Sequence, residues 1–427
     1  MTRAVITGIG VVAPSGIGFE DHWAATIAGR QCVTPIKLFD ASGYRTTLAG
    51  QVDDFVAADY IDDRILVQTD RWTHFALAAT GLALADGRFD PAEPGRDPYG
   101  TAVVFAAGSG GNEFGQREIS ALWTQGPEAV SAYQSIAWFY AASTGQASIR
   151  HRTKGPSGVL VAEAAGGLDS LAQARRIIRR GTGAVLAGAT EAGLTPYALT
   201  CQMTSGRLSA EHEPDRAYKP FDAAATGYVP GEGGAILLVE DAGRAADRQA
   251  PQVYGEIVGY GATHDAHDHR AAPPDARFFA AAMRRALDDA GLGPEDIDVV
   301  IADGAGDPEL DRLEASALTD VFGKRAVPVP VTAPQGWIGR LSAGGSALAV
   351  VNAVLSIRTG VIPAVGNLDT PFSGCDLDLV RRHRRAAVDT AMVNARGIGG
   401  FNSSMIIRRV RPETDRPATL SNHLEEV

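Results

Sequence analysis

Gly155-Pro156-Ser157-Gly158-Val159-Leu160-Val161-Ala162-Glu163-Ala164-Ala165-Gly166-Gly167-Leu168-Asp169 reads as a strand that runs into small residues and re-emerges as a helix. Val159–Ala162 supplies the apolar strand. From Leu168 to Arg180 the pattern turns helical, with Leu168, Leu171, Ala172 and Ile178 on one face. A turn of this kind presents one side chain at the positive end of a helix, where a Cys thiolate is stabilised by the dipole and by free backbone N–H groups. The residue at that position is Ala164, whose methyl group cannot attack anything. The turn has the form of a nucleophile's seat and holds no nucleophile.

The same alternation extends in both directions. Ala4–Ile9, Thr101–Ala106, Ala184–Ala189, Ala235–Glu240, Val253–Gly259, Val299–Ala302 and Met405–Arg409 are predicted strands. Asp70–Asp86, Ala276–Ala290, Glu309–Phe322 and Ala343–Thr359 are predicted helices. Strands alternating with helices predict a layered α/β fold. The pattern starts afresh near Val253, after the linker-like Gln249-Ala250-Pro251-Gln252. This predicts an N-terminal half over 1–248 and a C-terminal half over 253–411, although residue identity between them is too weak to establish a repeat. Residues 412–427 are polar and unpatterned and are expected to be a disordered tail.

Composition narrows the classes. With 427 residues, 45% apolar and 21% charged, the chain can bury a large core. Its net charge of −11 argues against nucleic acid or an anionic membrane as the main partner. Cys32, Cys201 and Cys375 are scattered and form no CxxC, which fits a reducing cytoplasm and not a disulfide or zinc framework. The start of the chain is predicted to be a buried first strand and not a secretory signal, because glycines and Pro14 interrupt its apolar run. No stretch reaches the roughly 18 apolar residues of a membrane span.

Several motifs fail on context. Gly8-Ile9-Gly10-Val11-Val12-Ala13 matches the dinucleotide fingerprint, but Pro14 stands where the phosphate-binding helix should run, and no acid follows at the required distance. His264-Asp265-Ala266-His267-Asp268-His269 has no matching ligand pair elsewhere, so no metal is expected. Gly108-Ser109-Gly110-Gly111 lacks a phosphate-loop Lys, and no GxSxG occurs. Arg175, Arg176, Arg179 and Arg180 crowd one helix end, and Arg381-Arg382-His383-Arg384-Arg385 forms a second basic run. Either could dock an acidic carrier protein, or simply be a solvated helix end.

Three segments carry a family resemblance. Ile6-Thr7-Gly8-Ile9-Gly10-Val11-Val12-Ala13-Pro14 resembles the opening of β-ketoacyl synthases. Pro220-Phe221-Asp222 with Gly227-Tyr228-Val229-Pro230-Gly231-Glu232-Gly233-Gly234 resembles their central signature, and Gly399-Gly400-Phe401-Asn402-Ser403 their C-terminal glycine loop. The resemblance implies a thiolase-like α/β fold of two similar halves in five α-β-α-β-α layers. Ketosynthases condense acyl chains with Cys, two His and Lys. The Cys takes the acyl group, and the imidazoles stabilise the oxyanion formed as malonyl loses carbon dioxide. On that pattern the Cys position is Ala164, the first His position is Asp303, and Gln335 and Arg340 stand where the Lys and second His belong. Asp311 and Glu314, structural in the family, are kept. An ionised Asp303 would repel a forming enolate, and it is expected to pair with Arg340 across the old site. A malonyl decarboxylase would need the histidines.

A ketosynthase-like chain without the catalytic set resembles the chain length factors, or ketosynthase β subunits, of type II polyketide synthases. Ala137-Trp138-Phe139-Tyr140 with Thr144-Gly145-Gln146, Val161-Ala162-Glu163 with Ala165-Gly166-Gly167-Leu168-Asp169, and Ala302-Asp303-Gly304-Ala305-Gly306 look like that group in particular. Most of its members carry Gln where this chain has Ala164. The resemblance implies a heterodimer with an active ketosynthase, with Val159, Val161, Glu163, Trp138 and Phe139 at the interface. The polyketide intermediate would extend through a tunnel along that interface, presented on phosphopantetheine by an acyl carrier protein. No cofactor of the chain's own is implied. The tunnel wall would be a helix after Gly111, with Asn112, Gly115 and Ile119 on one face, Phe114 beside them and Tyr197 opposite. The small Gly115 is expected to leave extra room. Two other readings are a divergent condensing enzyme with acyltransferase or decarboxylase activity of its own, and a subunit that only stabilises its partner.

Overall fold

The computed structural model describes residues 2–268 and 271–410. The expected tail, and His269 of the histidine-rich loop, lie outside the described residues. The first half contributes strands β1 (Ala4–Ala13), β2 (Thr101–Ala106), β3 (Ser157–Leu160), β4 (Ala184–Glu191) and β5 (Gly233–Asp241). The second contributes β6 (Gly255–His264), β7 (Val299–Ile301), β8 (Pro330–Thr332), β9 (Thr390–Gly397) and β10 (Phe401–Arg408). Their order across the sheet is β3-β2-β4-β5-β1 and then β6-β10-β9-β7-β8. Read outward from the junction, each half runs first, fifth, fourth, second, third. The directions repeat as well. β2 is parallel to β3 and β4, and β5 is antiparallel to β4 and β1. β7 is parallel to β8 and β9, and β10 is antiparallel to β9 and β6. The halves join where Val5 and Ile6 of β1 pair with Glu256 and Gly255 of β6. A duplication that residue identity conceals is thus plain in the topology.

Eight helices matter to the site: α1 (Arg71–Asp86), α2 (Asn112–Gln125), α3 (Ala142–His151), α4 (Gly166–Arg179), α5 (Pro196–Met203), α6 (Arg277–Ala290), α7 (Pro308–Phe322) and α8 (Ser342–Thr359). Strand alternation decides which helices each face receives. Val103 and Phe105 of β2 face outward into a core with α1 and α3. Ala102 and Val104 face inward, onto α4 and α8. On the second half, Val300, Met392 and Ile406 point out to α6 and α7, while Val393, Met405 and Ile407 join the same central core as α4 and α8. The result is the thiolase-like arrangement of five layers.

The fingerprint glycines have a packing role. β1 continues unbroken to Ala13, so no phosphate-binding turn forms. A Cβ on Gly8 would lie 2.2 Å from the carbonyl oxygen of Ala83, and one on Gly10 would lie 1.8 Å from that of Ala79, so α1 beds directly on the strand. The second half repeats the device: Gly259 meets Ala286 at 2.3 Å and Gly261 meets Ala282 at 2.2 Å on α6. Both first strands carry a bulge just before these glycines, at Thr7 and at Val258.

One expected strand boundary moves here, and one strand was missed. The strand predicted from Val253 begins at Gly255 and ends at His264, and no metal-ligating cluster forms among the described residues. β9 was not predicted, because its buried Asn394 and partly buried Arg396 break the apolar run. No helix among the described residues is long and apolar enough to cross a membrane.

Candidate functional site

The four degenerate positions converge. Ala164 follows β3 in a short 3-10 turn (Glu163–Ala165) that leads into α4. Asp303 lies just past the end of β7, Gln335 past β8, and Arg340 two residues before α8. Ala164 in one half and Gln335 and Arg340 in the other follow the third strand of their halves, Asp303 follows the second strand of its own, and all four reach one cavity. The cavity holds about 40 Å³ and is lined by Ala164, Asp303, Gln335, Arg340, Tyr218 and Asn394 among others.

The Asp303–Arg340 pair expected from the sequence is formed. Arg340 Nη1 donates to Asp303 Oδ2 at 3.1 Å and Nη2 to Oδ1 at 3.2 Å, a two-point contact. Both side chains are about nine-tenths buried. Arg340 also donates to the Arg396 carbonyl at 2.7 Å, and the Arg396 N–H donates to Asp303 Oδ1 at 2.9 Å. Burial opposes the Arg340 charge, but Asp303, Tyr218 and Glu163 outweigh it and raise its pKa. The Gln335 side-chain amide donates to the carbonyls of Ala302 and Asp303. The two charges of the site are therefore turned on each other, and Gln335 is turned on the backbone.

Glu314 and Asp311 hold the loop that carries Asp303. Glu314 accepts the N–H groups of Asp303 and Gly304 at 2.9 and 2.8 Å. Asp311 accepts those of Phe221 and Gly306 at 2.8 and 3.1 Å. Burial pushes the Asp311 carboxyl up to about 7 and that of Glu314 up to about 8, with Asp303 adding repulsion at both. Tyr218 donates its hydroxyl to the Gly304 carbonyl at 3.0 Å. Neither Tyr218 nor Arg396 stood out in the sequence, because their roles arise from tertiary contacts alone.

The sharp turn is strained one residue earlier than expected. Glu163, with φ +48°, occupies the left-handed region, not Ala164. Its carboxylate accepts the Ser342 hydroxyl at 2.7 Å and the Ile398 N–H at 2.8 Å. Glu163, expected at a subunit interface, therefore commits its charge within the chain. Among the arginines of α4, Arg175 is no solvated helix end: it is buried, pairing with Asp289 of α6 and donating to the Val258 carbonyl of β6. It ties the halves together.

The other residues expected at the interface lie at an open margin. Among the described residues, β3 has β2 on one side and no strand on the other. Beside this edge Val161 is 53% exposed, Trp138 50% and Phe139 54%, while Val159 is partly buried. Ile119 and Tyr197 are also more than half exposed, and Trp123 is 82% exposed. Exposed apolar side chains grouped in this way are what association faces commonly carry.

The segment that the resemblance assigns to the tunnel wall is helical, as α2, with two differences from expectation. Asn112, Gly115 and Ile119 share a face, but Gly115 is buried under Trp138: a Cβ there would lie 3.1 Å from Trp138 Cδ1. The room expected from glycine is taken up by that indole, which can approach because the side chain is absent. Phe114 turns away from this face into a cleft with Asp70, Arg71 and His74, and the Arg117 guanidinium lies 4.3 Å from its ring centroid. One helical step of about 100° separates the two directions. Tyr197 is linked to α2 by its own N–H, which donates to Gln116 Oε1 at 2.8 Å.

Comparison with known proteins follows this geometry. The β-ketoacyl synthase N-terminal domain matches residues 1–245 and the β-ketoacyl synthase C-terminal domain residues 254–369. The tetracenomycin polyketide synthase ketoacyl synthase beta subunit of Streptomyces glaucescens is 52% identical over 95% of this chain and 98% of its own length. The actinorhodin polyketide putative beta-ketoacyl synthase 2 of Streptomyces coelicolor is 50% identical, over 96% and 99%. Among solved structures, the ishigamide ketosynthase/chain length factor superposes with a TM-score of 0.89 at 27% identity, covering 96% of this chain and all (100%) of that one. A type II polyketide synthase acyl-carrier protein in complex with its hexaketide-bound ketosynthase gives 0.86 at 26% identity, with coverage of 96% and 100%.

Proposed function

The chain belongs to the β-ketoacyl synthase family, and on that premise we propose that it is the chain length factor of a type II polyketide synthase. It is a ketosynthase-like subunit that pairs with an active ketosynthase and shapes the tunnel in which the polyketide grows. The observation that carries this reading is the Asp303–Arg340 pair closed over the cavity beside Ala164. A condensing centre needs a nucleophile and hydrogen-bond donors aimed at a developing oxyanion. Here the nucleophile is a methyl group, an acid replaces one donor, and the arginine is spent on that acid.

What the chain keeps is the fold, the open edge at β3 and the apolar surface around Trp138, Phe139 and Val161. The active ketosynthase takes that face. Its acyl carrier protein supplies the intermediate on phosphopantetheine, so this subunit needs no cofactor of its own. The exposed Ile119, the partly buried Asn112 and the Trp138 indole over Gly115 form the wall on this side of the interface, with Tyr197 nearby. The halves meet between residues 248 and 253.

Product sizing from the heterodimer with its ketosynthase and carrier protein tests the wall. Gly115→Trp must push Trp138 off α2 into the tunnel, and the product should shorten by at least one two-carbon unit. Unchanged length at normal yield would leave only a stabilising role. The chain alone should neither transfer acyl groups nor decarboxylate malonyl thioesters, and either activity would instead establish a divergent condensing enzyme.

A further inference from the structure

α2 begins without a cap of its own. Gly111 precedes it and offers no side chain to the free N–H groups of the first turn. The cap comes from elsewhere in the chain. Asp70 Oδ2 accepts the Phe114 N–H at 2.7 Å, while Asp70 Oδ1 accepts the Trp72 N–H at 3.1 Å and so caps α1. One buried carboxylate therefore fastens the first turn of α2 to the first turn of α1, which is itself bedded on β1 through Gly8 and Gly10.

Two more acceptors on α2 work in the same way. Gln116 Oε1 holds the Tyr197 N–H at the start of α5, and Glu118 Oε2 holds the Ser131 N–H at 2.6 Å in the loop toward Trp138. Phe114 is buried on the first turn of α2 but belongs to none of the apolar cores described above. A cleft of about 510 Å³ opens there, lined by Phe114, Gln116, Arg117, Thr69, His74 and Thr195 among others. A helix backed by close-packed side chains is fixed by its volume. A helix backed by a cleft is fixed by its bonds.

We propose that Asp70 is a positioning residue for chain length: by gripping the Phe114 N–H, it holds the Asn112–Gly115–Ile119 face of α2 forward, at the depth that sets product size. This rests on the wall assignment of the preceding section and extends it to a residue that faces neither tunnel nor partner. Without that grip, the first turn of α2 has free space to retreat into, and the tunnel deepens.

The test uses the heterodimer with its ketosynthase and carrier protein, at matched heterodimer concentration. Asp70→Asn keeps an acceptor for Trp72 and places an amide donor against the Phe114 N–H. The ratio of the next longer product to the main product should rise about tenfold, the scale at which an apolar pocket separates chains that differ by one small unit. Adding Val67→Trp, on the far wall of the cleft, should fill the retreat space and restore the original product. A role confined to stability would change yield and leave this ratio alone. Should Asp70→Asn fail to assemble, Asp70→Glu keeps both acceptors and the charge but moves the grip outward by one methylene, and should shift the ratio as well. If Gly115→Trp shortens the product while neither Asp70 variant moves the ratio, the positioning role is overturned and the wall stands. If Gly115→Trp is also silent, the wall assignment falls and the positioning role falls with it. A longer product that persists after Val67→Trp overturns the cleft as the direction of movement.

Discussion

Asp303 and Arg340 bring opposite charges into a space where neither could stand alone. Each is about nine-tenths buried, and both also bond to backbone groups of Arg396. Removing one member of such a pair strands the other, at a cost of about 3–5 kcal/mol. Asp303→Ala should therefore lower stability by about that amount, read as a shift in the urea unfolding midpoint. Asp303→Leu combined with Arg340→Met should recover most of the loss, because the desolvation of both charges goes as well. If the double variant is as unstable as the single, the bonds to Arg396 matter more than the ion pair. The pair was legible in the sequence because the family pattern places both residues at one centre. The left-handed Glu163 beside Ala164 was not, since no residue preference points to a glutamate there.

At the scale of elements, the glycines of β1 show how one pattern can have two physical meanings. GxGxxA predicts a phosphate turn when a helix follows at once. Here the strand runs on, and the missing side chains admit α1. Gly10→Ala would put a methyl group 1.8 Å from the Ala79 carbonyl oxygen, so the helix must lift. The expected loss is about 3 kcal/mol, measured by chemical denaturation, and Gly261→Ala on β6 should act in the same direction. Gly81, on α1 with nothing within 4 Å of an added Cβ, is the control. Gly81→Ala should stabilise by about 0.5–1 kcal/mol, since alanine loses less backbone entropy in a helix. Gains at Gly10 and Gly261 like that at Gly81 would mean that backbone propensity, and not close packing, decides these positions. The five strands of the first half and its helices α1 and α4 were legible from their apolar patterns, whereas α3 and α5 were not. Nor was β9, since its buried Asn394 breaks the apolar run, and the Ser404 hydroxyl that donates to Asn394 Oδ1 is visible only once β10 lies beside it.

For the whole molecule, the open edge at β3 and the apolar surface beside it are the features an isolated chain does not explain. Exposed edges and aromatics invite association, and free proteins blunt them. Val161→Lys and Phe139→Lys should leave the chain's own unfolding midpoint within about 0.5 kcal/mol, as exposed sites usually do, while weakening the heterodimer on size-exclusion chromatography. Undiminished assembly would move the interface elsewhere. The sequence by itself determined the alternating α/β pattern, the absence of a nucleophile at Ala164 and the family pattern that groups Asp303, Gln335 and Arg340. These follow from local periodicity and from residue chemistry at fixed spacings. Only the tertiary structure decided that the two halves share one strand order, that Trp138 fills the space over Gly115, and that Asp70 caps α2 from another helix. Each of these joins residues far apart in the chain, and such contacts depend on backbone geometry that tolerates many sequences.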